Sequence, residues 1–237
     1  MKLLAIESSG LVASVAVLAD DKLIGEFTTN LKKTHSQTLL PMLDSVVKLL
    51  EISLEDIDAI VVSGGPGSFT GLRIGGATAK GLGLALNKPL IQIPTVDGIA
   101  YNLFGVTSLI CPLMDARRNQ VYTGLYTFLG DRFKVVKKQH PVAVEELIEE
   151  LNQLNQRVIF LGDGVLVYQE LIEKNLKTEY SFAPPHLGYQ RAGAIASLGA
   201  DYFKKGKLIS AKEYRPEYLR LSQAEREQEQ KNRSGNS

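Results

Sequence analysis

One order of predicted elements occurs twice in these 237 residues. In the first half, apolar runs predict strands over 2–6, 11–19 and 22–29, with Asp20 and Asp21 as a turn between the last two. A helix is predicted over 36–50, a strand over 58–63, a glycine-rich turn over 64–71, a helix over 72–86, a strand over 89–93 and a short helix over 96–104. The second half predicts strands over 108–115, 120–129 and 132–139, then a helix over 144–154 and a strand over 157–161 running into Gly162-Asp163-Gly164. Helix 165–175, strand 180–183 and helix 189–205 complete it. Both halves place a glycine turn after the fourth strand. Such self-similarity points to an α/β protein of two similar lobes. Each lobe is expected to hold a mixed five-stranded sheet with helices on both faces and right-handed crossovers. The boundary is expected near Gly105, giving lobes 1–105 and 106–221, the second including the closing helix and the PEYLR segment. Residues 222–237 are polar and lack an apolar face, which predicts a mobile tail.

The composition narrows the function classes. With 44% hydrophobic and 22% charged residues, the chain has an ordinary globular balance. A net charge of +1 argues against a strongly electrostatic nucleic-acid binder. The single cysteine, Cys111, sits in an apolar run and excludes an intrachain disulfide and a cysteine-based zinc site. The histidines His35, His140 and His186 form no i,i+4 pair, so no metal site is indicated, and no residue pattern calls for a cofactor. His35 precedes a helix and is expected to cap or pack. No apolar run reaches the roughly 18 residues of a membrane span, and the N-terminus meets Glu7 too early for a signal peptide, so a cytoplasmic protein is expected. Residues 204–233 carry nine Lys/Arg against five Asp/Glu, which reads as a solvated surface more readily than as an RNA site.

The run GGPGSFTGLRIG (64–75) is the densest signal. A strand feeding a glycine turn and a helix start presents backbone N–H groups to a phosphate or carboxylate. Gly65, Gly67, Ser68 and Thr70 are the candidate anion contacts, with Glu7, Ser8 and Ser9 at the end of the first strand beside them. The spacing is not that of a Walker A loop, because Leu72 stands where the lysine belongs. A purely structural turn, with Glu7, Ser8 and Ser9 capping a hairpin, is the competing reading. The turn at Asp115-Ala116-Arg117-Arg118-Asn119 is the counterpart in the second half. Arg117 can pair with Asp115 there, or an arginine can reach a partner's acidic group.

The helix after the glycine turn holds Gly75, Gly76, Gly81 and Gly83. At roughly 0.8–1 kcal/mol each against alanine, they cost about 3–4 kcal/mol. Gly75, Ala79 and Gly83 form a flat stripe that suits close helix contact. It serves either packing inside the lobe or a helix pair with another molecule, while Leu72, Leu82 and Leu86 cover the sheet. Leu39, Leu43 and Val46 on the preceding helix make an apolar face broader than one sheet contact needs. These six positions are the candidate partner-binding residues.

The opening IESS, then THSQTLLPML, GGPGSFTGLRIGGATAKGLGLAL, IPTVDGIA, LMDARRNQVY, LGDGV and RPEYLR together resemble the bacterial TsaB (YeaZ) family, over residues 1 to about 221. The resemblance implies the actin-like ATPase (ASKHA, ribonuclease H-like) fold. It implies a non-catalytic scaffold for TsaD, which with the ATPase TsaE makes N6-threonylcarbamoyladenosine beside the anticodon of tRNAs reading ANN codons. It also implies a homodimer when alone, pairing with TsaD through the same N-lobe helices, and contact with tRNA only through the complex. TsaD-like relatives carry an HxxxH metal motif after the fifth strand. The chain here reads PTVDGIA (94–100), without histidine, which suits a pseudo-enzyme. The rival reading is a small-molecule kinase or ATPase of the same fold using Glu7 and the turn at 64–71.

Overall fold

The computed structural model describes residues 1–31 and 33–219. The predicted tail at 222–237 lies outside the described residues. Strands β1 (Lys2–Glu7), β2 (Ala13–Ala19) and β3 (Lys22–Thr29) form an antiparallel meander. Helix α1 (His35–Leu49) leads through a 3-10 turn to β4 (Ala59–Gly65), which pairs parallel to β1. Helix α2 (Phe69–Ala85) then connects to β5 (Leu90–Pro94), giving a sheet of order β3-β2-β1-β4-β5. β1 reads as one apolar run because the sheet is covered on both sides. Leu4 and Ile6 face α1 and α2, where Leu39, Met42, Leu43, Val46 and Ala79 meet them. Leu3 and Ala5 face the opposite side.

After α3 (Thr95–Tyr101) the second sheet begins with β6 (Leu109–Pro112) and β7 (Met114–Arg117). The sequence predicts one strand there and a five-stranded sheet; six strands are present. The break falls at Leu113, whose N–H donates to Leu161 O (2.7 Å) and whose carbonyl accepts from Gly164 N (2.9 Å). β6 and β7 nonetheless share one register on β8 (Gln120–Leu129), through Ile110↔Tyr126 and Met114↔Tyr122. Strand β9 (Arg132–Ala143) pairs the far side of β8, helix α4 (Val144–Leu154) follows, and β10 (Val158–Leu161) and β11 (Tyr180–Phe182) flank helix α5 (Gly164–Asn175). Counting β6 and β7 as one interrupted strand, both sheets have the same order, which is the duplicated architecture of the actin-like ATPase fold.

The closing helix corrects the expected division of the chain. α6 (Ala192–Lys204) packs on the first sheet, with Ile195, Ala196 and Leu198 against Leu3, Ala5, Ala16 and Val61. Glycines make this approach close: a Cβ on Gly199 would stand 2.7 Å from the Val61 side chain. The chain then stays with the first sheet. Ile209 bridges Leu90, Ala211 and Tyr214 enter the first core, and Glu217 N donates to Gly64 O (2.7 Å). Reciprocally, Val96, Ile99, Ala100 and Leu103 on and just after α3 pack with Ile110, Tyr126 and Phe128 of the second sheet. The two sheets therefore exchange their closing helices.

Candidate functional site

The connections at the carboxyl ends of the central strands converge on a cleft of ≈ 660 Å³. Ligands of open α/β sheets lie in such crevices. Its walls are Ser9 and Gly10 after β1, Lys33 to Ser36 at the start of α1, Pro66 to Gly71 of the glycine turn, Asp115 and Arg117 of the second sheet, Asp163, and the chain's 217–219 stretch.

The sequence candidates divide across this wall. Ser9, Gly67, Ser68 and Thr70 line the cleft. Ser68 caps α2 by accepting from Gly71 N (3.2 Å), and its own N–H donates to Ser9 O (2.6 Å). Glu7, Ser8 and Gly65 stand behind. Glu7 is buried; its carboxylate accepts from Ser9 N (2.7 Å), Ser9 Oγ (2.5 Å) and the Ser63 hydroxyl. Burial pushes the Glu7 carboxyl up, against those three hydrogen bonds, which pull it down. Its role in this geometry is to tie the ends of β1 and β4 together. Ser8 Oγ donates to Gly71 O (2.9 Å), pinning α2 to β1. Gly65 has φ +114°, its carbonyl accepts from Gln139 Nε2 (3.1 Å), and a Cβ there would stand 2.2 Å from Glu217 O. His35 lies at the start of α1 with Nε2 2.8 Å from Gly10 O.

On the far wall the expected Arg117–Asp115 ion pair is replaced by a backbone contact: Arg117 N donates to Asp115 Oδ1 (2.8 Å), which also accepts from Tyr168 Oη (3.1 Å). Arg117, Arg118 and Asn119 have φ of 62°, 57° and 56°. Arg118 and Asn119 form a two-residue hairpin turn between Arg117 and Gln120. Such turns favour Asn and Gly; an L-residue held left-handed otherwise costs roughly 1–2 kcal/mol. Asp163, between β10 and α5, has its carboxyl pushed up by burial, with Asp115 adding repulsion.

All six partner-binding candidates are buried inside the chain: Leu39, Leu43, Val46, Gly75, Ala79 and Gly83. A Cβ on Gly75 would lie 2.1 Å from Ser8 Oγ, and one on Gly83 2.5 Å from Leu90 Cδ1. The stripe serves close packing within the fold. The exposed stripe of α2 is displaced by two residues: Ala77, Gly81, Leu84 and Ala85 face outward, with nothing within 4 Å of a Cβ on Gly81. Leu40 and Leu49 are exposed on the neighbouring α1. A helix with small residues at two spacings of four is ambiguous in sequence about which stripe faces out.

Sequence reasoning also missed the ring stack at the cleft mouth. Tyr218 and Phe69 have centroids 4.7 Å apart, and the Arg73 guanidinium carbon lies 3.9 Å from the Phe69 centroid. In the PTVDGIA segment, Asp97 is buried and accepts from Tyr126 Oη (2.8 Å). Burial pushes its carboxyl up to about 6. Among the described residues no group of three or more His, Cys, Asp and Glu is placed to hold a metal, and no helix is long and apolar enough to cross a membrane.

A family model described as TsaD, tRNA N6-adenosine threonylcarbamoyltransferase, matches residues 22–228. The chain is 34% identical to the tRNA threonylcarbamoyladenosine biosynthesis protein TsaB of Bacillus subtilis, over 95% of this chain and 96% of that one. It is 28% identical to the protein of the same description from Escherichia coli, over 93% and 95% of the two chains. Among solved structures, YeaZ from Pseudomonas aeruginosa superposes with a TM-score of 0.77 at 24% identity, covering 92% of this chain and 99% of that one, which shows a shared fold.

Proposed function

This chain belongs to the TsaB (YeaZ) family, and from that premise we propose that it is a non-catalytic scaffold subunit in the formation of N6-threonylcarbamoyladenosine on tRNA. Its partner is a TsaD-class transferase, with TsaE as the associated ATPase, acting in the cytoplasm on tRNAs that read ANN codons. Alone, the chain forms a homodimer through the surface that otherwise takes TsaD. The observation that carries the scaffold reading is the outward face of α1 and α2. Ala77, Gly81 and Ala85 make a flat track on which another helix can approach closely, and Leu40, Leu49 and Leu84 are exposed apolar contacts beside it.

The state of Glu7 supports a non-catalytic role. A carboxylate that accepts three hydrogen bonds in a buried site is engaged in holding two strands. The kinase or ATPase reading needs that carboxylate free in the cleft.

Gly81→Arg tests the scaffold. The new side chain meets open space in the isolated chain, so the fold should tolerate it. Light scattering on a sizing column should show the homodimer replaced by monomer and the shift with TsaD abolished, with tRNA modification by the reconstituted system falling in parallel. An unchanged complex would remove this surface from the interface. ATP turnover by the isolated protein, lost in Glu7→Ala, would favour the enzyme instead.

A further inference from the structure

The rim of the cleft carries cations and rings that the scaffold reading leaves without a task. Lys33 and Arg117 line opposite walls, and Arg118 follows in the hairpin turn. All three are exposed, and among the described residues none of them makes an ion pair. The turn that presents the two arginines is left-handed at both, including the position where Asn or Gly would be the relaxed choice. At the same mouth, Tyr218 stacks on Phe69, with Arg73 on the Phe69 ring, and Tyr218 remains 39% exposed.

Carboxylates line the same cleft: Asp115 and Asp163 are part-buried, and Glu217 is exposed beside Tyr218. A free nucleotide seated between the walls would meet these acidic groups, whereas a polymer held along the exposed cations can extend past them. Exposed guanidinium groups and an accessible aromatic face are the two components with which proteins hold unpaired RNA: the cations follow the backbone and the ring takes a base.

We propose that this rim is a contact for a single-stranded segment of RNA, with Arg117, Arg118 and Lys33 on its phosphodiesters and the Phe69–Tyr218 stack receiving an unstacked base. That the RNA is tRNA rests on the function proposed above; the contact itself does not. The contact is small, so it adds to binding within the assembled complex rather than making the chain alone a strong RNA binder, in keeping with a net charge of +1.

The test is filter binding of unmodified tRNA to the complex with TsaD at several salt concentrations, with wild type, R117E/R118E, Tyr218→Ala and Tyr218→Phe. The double variant should weaken tRNA binding about tenfold or more near 0.1 M salt. It should also flatten the slope of log K against log salt by about 1–2, with TsaD association unchanged. Tyr218→Ala should weaken binding about tenfold and Tyr218→Phe should retain it. Unchanged tRNA affinity in the double variant overturns the proposal. So does loss of TsaD association, which would assign the arginines to a protein partner, or an effect on ATP binding alone, which would assign the rim to a nucleotide. If wild type does not associate with TsaD, the scaffold reading fails separately, and the same comparison on the isolated chain decides the RNA contact.

Discussion

Asp97 has a structural role that its own stretch of sequence does not announce. The resemblance singles out its segment only as one without histidines. It gives no sign that the aspartate is buried under Tyr126 Oη, since Tyr126 is 29 residues away on the other sheet. The consequence is a pH dependence. With its carboxyl raised from 3.8 to about 6 by burial, the folded state holds a proton that the unfolded state has released between those values. Stability from this group is therefore greatest below about pH 4 and falls as pH rises to 6, by about 2–3 kcal/mol. Asp97→Asn, which keeps an oxygen for Tyr126, should remove that slope and leave the protein equal or more stable at pH 7. Urea unfolding at pH 4, 5, 6 and 7 would show it. Glu7, also raised by burial, leaves a residual slope of the same sign in both proteins.

At the scale of the element, α2 carries most of what was legible and most of what was not. Its boundaries, its glycine excess and the turn before it follow from the sequence; which stripe faces the core does not. The register depends on partners far along the chain: Ser8 under Gly75, the Tyr214 ring beside Gly76, and Leu90 with Ala211 beside Gly83. Ala211 and Tyr214, beyond α6, thus use two of the helical glycines as slots. A Cβ on Gly76 would stand 2.7 Å from the Tyr214 ring, so Gly76→Val should cost about 1–3 kcal/mol through overpacking. Gly81→Ala on the same helix should stabilise by up to about 1 kcal/mol, because only its backbone entropy changes. Thermal or urea melts of the pair, at concentrations low enough to keep the chain monomeric, would separate the two stripes. β6 and β7 teach the same lesson in a strand, where the Leu113 backbone turns to Leu161 and Gly164.

For the whole molecule, the duplication predicted two similar mixed sheets but not the exchange of helices. Strand and helix periodicities are local; whether α6 covers its own sheet or the other depends on side-chain volumes meeting at Gly193 and Gly199. Gln139 adds a tie between the halves, donating to Gly65 O (3.1 Å) and accepting from Val96 N (3.4 Å). A fragment of residues 1–105 should therefore expose the apolar face of Leu3, Ala5, Val61 and Ile91, and fail to give dispersed amide resonances by NMR. Adding a fragment of 106–219 should restore them. A well-dispersed spectrum from 1–105 alone would mean that the first half is self-sufficient.

The helix exchange also sets a schedule for the ribosome. Every strand of the first sheet has been made once Pro94 is joined, yet the helix that covers one side of it ends at Lys204. At roughly 5–20 residues per second, those intervening residues take about 5–20 s to synthesise. For that interval the nascent chain carries a nearly complete sheet with one greasy side open to solvent, the kind of surface that chaperones binding exposed apolar chain are suited to shield.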